Sequence, residues 1–250
     1  MREQHIYKAV HGEYLLADVV APSEASDGPH AAVVCFHGGG WVGGSPDAFE
    51  RQCVWLADHG VVGVMIEYRL VKERAENVLD CIRDAHTAMR WVRAHAEQFN
   101  IDPSRIAAMG GSAGGHLAAC TAMIDIQEPD ENQDVSSRPD ALVLFNPALD
   151  TGVDAIGAHE TFPQEGVVSS PMHHITPGLP GCLILNGCED TVTPIAHAER
   201  FTEQMTAAGN DCRLVGYPGE SHSWFHKQFE ETFIREVVPF LREQGFPIAD

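Results

Sequence analysis

Arg105-Ile106-Ala107-Ala108-Met109-Gly110-Gly111-Ser112-Ala113-Gly114-Gly115-His116-Leu117-Ala118-Ala119-Cys120 decides the fold. The apolar run Arg105 to Met109 predicts a short buried strand, and His116 to Met123 predicts a helix. Between them lies the pattern G-x-S-x-G, from Gly110 to Gly114. A chain that turns this sharply from strand to helix strains the residue at the bend. Glycines two before and two after that residue give the crossing backbones room. Ser112 is then left exposed at the helix N-terminus. With glycine near 7% of residues, the pattern alone arises by chance in about one chain in ten of this length. The strand-turn-helix setting is what gives it weight.

Working outward, the apolar strand Ala31 to Phe36 runs into His37-Gly38-Gly39-Gly40-Trp41. Ser45-Pro46 reads as N-cap and first turn of a helix with Phe49, Cys53, Leu56 and Ala57 on one face, closed by Gly60. Val61 to Ile66 is another buried strand. Helical spacing runs over 76–99 through Val78, Ile82, Ala85, Met89, Val92 and Ala96. Ala141–Phe145, Cys182–Leu185 and Cys212–Tyr217 read as strands, and 194–208 and 227–244 as helices. At the start, His5–Val10 and Tyr14–Val20 flank His11-Gly12 as a hairpin. Strands alternating with helices after an antiparallel start predict a single α/β domain over 1–250. Its central sheet is mostly parallel, with helices on both faces. The stretch 150–180, with Phe162, Pro163 and Met172, is long for a connection and predicts a small lid-like insertion.

The 250 residues carry 36 acidic and 16 basic side chains, a net charge of -20. Such a surface repels nucleic acid and anionic membranes, so neither is expected as a partner. No apolar run approaches a membrane span, and Met1 to Val10 holds no apolar signal core. The expectation is a soluble chain, cytoplasmic or secreted after loss of a signal, with oligomeric state open. Seven cysteines without a C-x-x-C spacing predict mostly reduced thiols. One bridge among Cys182, Cys188 and Cys212 stays open. Fourteen histidines form no ligand spacing, and adjacent His173 and His174 are poor geometry for one metal. No metal site and no cofactor are expected.

A serine hydroxyl is a poor nucleophile until a base takes its proton, and the base needs a carboxylate to orient it. His222 follows the last strand, in Pro218-Gly219-Glu220-Ser221-His222-Ser223-Trp224. Asp190 follows the strand before it, with Glu189 and Asp150 as alternative acids. Ser112, Asp190 and His222 all fall just after strands, which in a parallel sheet places them on one edge. Backbone N–H groups can point at a developing oxyanion only where side chains are absent. Gly39 and Gly40 would supply two donors and Ala113 a third. His37 is expected to shape its loop through hydrogen bonds, and His116 to pack in the core.

Further stretches are Glu67-Tyr68-Arg69-Leu70, Asp84 with Arg90-Trp91, Asn100-Ile101-Asp102-Pro103-Ser104-Arg105-Ile106 and Ser170-Pro171-Met172-His173-His174-Ile175. With these and the two loops, the chain resembles the α/β-hydrolase esterases. The resemblance is to the HGGG branch of hormone-sensitive-lipase-like carboxylesterases and bacterial carbohydrate acetylesterases. It implies an α/β-hydrolase fold with chain order Ser…Asp…His. It also implies Ser112 as nucleophile, His222 as base, Asp190 as orienting acid, and Gly39, Gly40 and Ala113 as oxyanion donors. Three departures bear on the cleft. The N-terminal region leaves no room for the helical cap usual in the lipase-like branch, so the cap is minimal. Val71-Lys72 replaces a common proline, and Ser223 stands where glycine is usual. Trp41 and Trp224 are expected to line the acyl pocket. The function this implies is a serine esterase removing short acyl groups, acetyl above all, from a carbohydrate such as acetylated xylan. The alternatives are a generic short-chain carboxylesterase or lipase-like enzyme, or an arylformamidase. A catalytically silent hydrolase-fold binding protein is the reading from another class; retention of all three triad residues argues against it.

Overall fold

The computed structural model describes residues 1–10, 12–23, 28–71, 73–126, 128, 131–152 and 166–250. Eight strands form one sheet: β1 Arg2–Val10, β2 Glu13–Val20, β3 His30–Phe36, β4 Val61–Ile66, β5 Ile101–Gly111, β6 Ala141–Phe145, β7 Gly181–Gly187 and β8 Cys212–Tyr217. Their order across the sheet is β1-β2-β4-β3-β5-β6-β7-β8. β1 pairs antiparallel with β2, and β2 antiparallel with β4; every later pairing is parallel. The expected α/β architecture with an antiparallel N-terminal hairpin is therefore what forms.

The two-residue period of the strands divides the core in two. Ala32, Val34, Phe36, Ala108, Leu142, Leu144 and Ile184 face one layer. That layer is closed by α2 Val78–Ala94, α3 Ala113–Met123 and α4 Ile195–Ala207. Their neighbours Ala31, Val33, Cys35, Met109, Val143, Phe145 and Leu185 face the other layer. There α1 Glu50–Asp58 and the C-terminal helical segment ending in α5 Val238–Glu243 cover them. Central strands buried on both faces explain why β3, β4 and β6 read as unbroken apolar runs.

Helix boundaries differ from the sequence expectation for identifiable reasons. The helix after Ser45 opens as a 3₁₀ turn, Pro46–Phe49, with Ser45 Oγ accepting from Asp47 N, before α1 begins. α2 starts at Val78 because Asn77 caps it, its Oδ1 accepting from Leu79 N at 2.9 Å. The expected single helix over 227–244 is a 3₁₀ turn Trp224–Lys227, a π-helical segment Glu230–Val237 and then α5. Pro239 has no N–H to give to the preceding turn, which accounts for the widened winding before it. All seven cysteines are free thiols, so the bridge left open for Cys182, Cys188 and Cys212 is not made. Of the lid-like stretch 150–180, residues 153–165, with Phe162 and Pro163, lie outside the described residues. Among the described residues no helix is long and apolar enough to cross a membrane.

One buried charge cluster braces the connection from β4 to α2. Arg69 grips Asp84 with Nε to Oδ2 and Nη2 to Oδ1, each at 2.8 Å, and its backbone N–H adds a bond to Oδ2 at 2.9 Å. Lys8 Nζ reaches Asp84 Oδ1 and Glu128 Oε1, both at 2.6 Å. Asp84 is wholly buried and Arg69 nearly so. Removing one partner would strand the others without compensation, a loss on the order of 3–5 kcal/mol.

Two buried histidines contribute to a loss of stability in acid. Burial pushes His86 and His116 down to about 4 from 6.5, because neither site can solvate an imidazolium. Above pH 6.5 both are neutral folded or unfolded, and this contribution is constant. As pH falls from 6.5 towards 4, the unfolded chain takes up protons that the folded chain refuses. Stability then drops by about 1.4 kcal/mol per unit and per group. Denaturant midpoints measured from pH 7.5 to 4.5 should fall over this window, and His86→Gln should flatten the slope. A midpoint independent of pH above 4.5 would contradict this.

Candidate active site

The turn from β5 into α3 holds Ser112 at φ 54° and ψ -117°, a conformation an L-residue adopts only when its surroundings enforce it. They do so by crowding. A Cβ on Gly110 would overlap the carbonyl oxygen of Gly114, and one on Gly114 would overlap those of Phe36 and His37. The two flanking glycines are thus required by backbone crossing, as their spacing predicts. Ser112 N–H donates to Phe145 O at 2.9 Å, tying the bend to β6, and Ser112 O accepts from His116 N at 3.0 Å.

Three strand ends bring three side chains together. His222 lies in the loop after β8, with Nδ1 2.7 Å from Asp190 Oδ2 and Nε2 3.0 Å from Ser112 Oγ. Asp190 is held after β7 by its own turn. Its Oδ1 accepts from Val192 N and Thr193 N at 2.8 Å, and its Oδ2 from Thr193 Oγ1 at 2.9 Å. Burial alone would raise this carboxyl. The bonds from His222 and Thr193 outweigh burial and hold it below its usual range. An ionised carboxylate only accepts, so the proton sits on Nδ1 and the bare Nε2 faces the serine hydroxyl. The alternative acids stand elsewhere: Asp150 pairs with Arg200, and Glu189 is exposed.

The glycine loop stands over Ser112. A Cβ on Gly38 would lie 3.4 Å from Ser112 Cβ. Gly39 at φ 127° and Gly40 at φ 61° line the same cavity as Ser112 and His222. Ala113 opens α3, where the first N–H groups have no acceptor within the helix. Among the described residues, the N–H groups of Gly39, Gly40 and Ala113 have no protein acceptor. His37 shapes the loop, as expected. Its Nδ1 donates to Gly38 O at 2.8 Å, its ring stacks on Tyr68 at 4.3 Å, and its carbonyl accepts from the Tyr68 hydroxyl. Burial lowers its pKa, keeping it neutral.

The two tryptophans are not where the sequence expectation places them. The cavity, about 520 Å³, is bounded by the glycines with Ala48, Gly111, Val192 and Phe225, and by Ser45, Ser223 and His226. Neither indole lines it. Trp41 turns into the core and donates Nε1–H to His116 Nδ1 at 3.2 Å. Trp224 is buried against the Tyr217 ring at 4.0 Å. Burying an indole removes about 150–250 Å² from water, and a buried N–H is satisfied when it finds a partner, as that of Trp41 does in His116. Two residues at the centre went unnoticed in the sequence. Thr193 supports Asp190, and Asn146, wholly buried at φ 35°, brings Nδ2 to 3.3 Å from His222 Nδ1. The signals were Asn146-Pro147 and Thr193-Pro194, since a residue before proline is driven out of the helical region.

Residues 17–143, half of the chain, match the BD-FAE family model, and residues 152–245 match that of the prolyl oligopeptidase family. The chain belongs to the BD-FAE family. Among solved structures, this BD-FAE member is similar to Thermogutta terrifontis esterase 2. The match has 37% identity and a TM-score of 0.93, and covers all of this chain and 96% of that one. Among curated relatives it is similar to esterase LipU of Mycobacterium tuberculosis, 26% identical over 88% of this chain and 78% of that protein. It is also similar to an acetylxylan esterase of Xylanibacter ruminicola, 24% identical over 88% of this chain. The chain spans about half the length of several curated relatives it matches, 47% in the case of that acetylxylan esterase. The proteins it is similar to are named esterases, and the fold it shares with them is the α/β-hydrolase fold.

Two glycines separate crowding from conformation. Gly114→Ala drives a Cβ into the backbone at the end of β3, and should abolish soluble folded protein. Gly40→Ala meets only Val42 Cγ2 at 4.0 Å. It pays mainly for its positive φ, about 1–2 kcal/mol, and should fold with a modestly lower melting temperature. Equal melting temperatures for the two variants would refute the crossing argument.

Proposed function

We propose that this protein is a serine esterase that hydrolyses short-chain acyl esters through an acyl-enzyme on Ser112. The observation that carries this is the continuous relay from Asp190 through His222 to Ser112, at 2.7 and 3.0 Å, beside a cavity lined by Gly38, Gly39 and Gly40. In this reading His222 Nε2 takes the hydroxyl proton as Ser112 Oγ attacks the ester carbonyl. The oxyanion is met by the N–H groups of Gly39, Gly40 and Ala113. His222 then passes the proton to the departing alcohol oxygen. Asp190 stays ionised and stabilises the imidazolium. Water repeats the sequence on the acyl-enzyme and frees the acid.

The short acyl group is supported by the cavity walls, where Phe225 packs against Gly111 and closes one side. Structures of Thermogutta terrifontis esterase 2 with propionate and butyrate bound show that this relative accepts acids of that size. For the alcohol half, acetyl esters of a carbohydrate are the finer proposal. Its support is the hydroxyl and imidazole groups among the cavity's lining residues, Ser45, Ser223 and His226, together with the acetylxylan esterase relative.

Ser112→Ala should lower kcat by roughly 10⁴- to 10⁶-fold and abolish labelling by a serine-directed phosphonate. Asp190→Asn should cost up to about 10⁴-fold by admitting the wrong imidazole tautomer, while Glu189→Gln costs little. Labelling retained in Ser112→Ala would overturn the mechanism.

Across p-nitrophenyl esters, turnover should be highest at two to four carbons and fall at octanoate. Each methylene forced against a filled wall costs about 1–3 kcal/mol. Acetate should also be released from acetylated xylo-oligosaccharides. An optimum of six carbons or more refutes the short-acyl reading. Turnover of p-nitrophenyl acetate without acetate release from the sugar refutes the carbohydrate reading alone.

A further inference from the structure

We infer that His116 is a positioning residue for the glycine loop: acting through Trp41, its imidazole fixes where the Gly39 and Gly40 N–H groups stand relative to Ser112. The inference rests on the proposed role of those N–H groups as oxyanion donors.

His116 is wholly buried on α3, one turn beyond Ser112, whose carbonyl accepts its backbone N–H. Both ring nitrogens are engaged, and their roles follow from their partners. The Trp41 indole N–H can only donate, so Nδ1 accepts from it, at 3.2 Å. The Ser169 carbonyl can only accept, so Nε2–H donates to it, at 2.7 Å. One neutral tautomer satisfies both bonds at once, and burial keeps the ring neutral. The rings meet edge to face, with centroids 5.1 Å apart and planes at 90°. Direction and distance of the indole are both set.

Trp41 follows Gly40 directly and sits at φ 61°, a left-handed conformation costly for a bulky residue. Something must compensate, and its contacts include the indole bond to His116 and a backbone bond from Val71 N to Trp41 O at 2.7 Å. The loop therefore has two anchors. His37 holds the upstream end against Tyr68, and Trp41 holds the downstream end against α3. Gly39 and Gly40 lie between, without side chains of their own to fix them. Because His116 and Ser112 share one helix turn, the anchor refers the loop to the same rigid element that carries the serine. That is the geometry an oxyanion site needs, since donors displaced by about 1 Å lose roughly 10²-fold in rate. The third arm, Ser169, joins the segment after β6, where Ser169 Oγ lies 3.0 Å from Thr151 Oγ1.

The test compares His116→Phe, which fills the space and removes both bonds, with His116→Gln, whose amide can accept and donate, and with Trp41→Phe. The readouts are kcat and KM for p-nitrophenyl acetate and the affinity of a trifluoromethyl ketone, whose adduct with the serine carries an oxyanion. His116→Phe should lower kcat about 10- to 100-fold and weaken the ketone by a similar factor, with KM changed less than about threefold. His116→Gln should recover most of the loss. Trp41→Phe should lose as much as His116→Phe, and the double variant should be no worse than either single. Should His116→Phe fail to fold, Trp41→Phe and His116→Gln carry the same comparison. Unchanged kcat in the folded variants, effects that multiply in the double variant, or losses confined to KM would overturn the inference. If instead the wild-type enzyme binds the ketone no better than Ser112→Ala does, no serine adduct forms and the proposed function itself fails, so the two failures are told apart.

Discussion

Everything at the site depends on one close approach, the backbone of α3 running against the end of β3 at Gly114. There is no space between Gly114 and the carbonyls of Phe36 and His37 for even a methyl group. That contact does two things. It holds Ser112 in its strained conformation, because the helix cannot move away without opening the core beneath it. It also sets the start of the glycine loop beside the serine, because the loop begins where β3 ends. Ser112 and the start of the glycine loop are thus brought together by the packing of two backbones.

Both ends of the loop have a second support, and the protein supplies it in polar bonds. Tyr68 and Val71, in the connection after β4, reach His37 O and Trp41 O. That connection is in turn gripped through Arg69 by Asp84, with Lys8 and Glu128 completing the cluster. Buried ion pairs of this kind add little net stability, since desolvation cancels most of their attraction. Their value is geometric. They fix a non-repetitive segment that has no ladder of its own, and pass its position to the loop above the serine.

The sequence revealed most clearly what backbone geometry dictates. Strand positions came from apolar runs, because strands covered on both faces admit little else. The elbow was legible because Gly110 and Gly114 answer a steric demand of fixed spacing. Ser112, Asp190 and His222 could be assembled because strand ends in a parallel sheet share an edge, and the three side chains do meet. What escaped was direction. Nothing in the letters of Trp41 or Trp224 says whether an indole turns to a cleft or to a core. The answer lay in His116, seventy-five positions away, and in Tyr217. Pro239 was visible, but its effect is to rewind the C-terminal helix rather than end it, which periodicity does not distinguish.

Asp190 shows why one carboxylate of an adjacent pair belongs to the site. Its side chain is short enough to fold back on its own turn, where two backbone N–H groups and the Thr193 hydroxyl close on it. One oxygen is left partly free, and it points at His222. Glu189, one residue earlier, is exposed to solvent. A longer side chain at 190 would have to give up those turn bonds to reach the imidazole, and with them the force that keeps the carboxyl ionised. The charge that orients His222 is therefore a product of the turn itself. The strongly acidic surface of the chain plays no part in it, since exposed charges beyond about 8–10 Å are screened by salt.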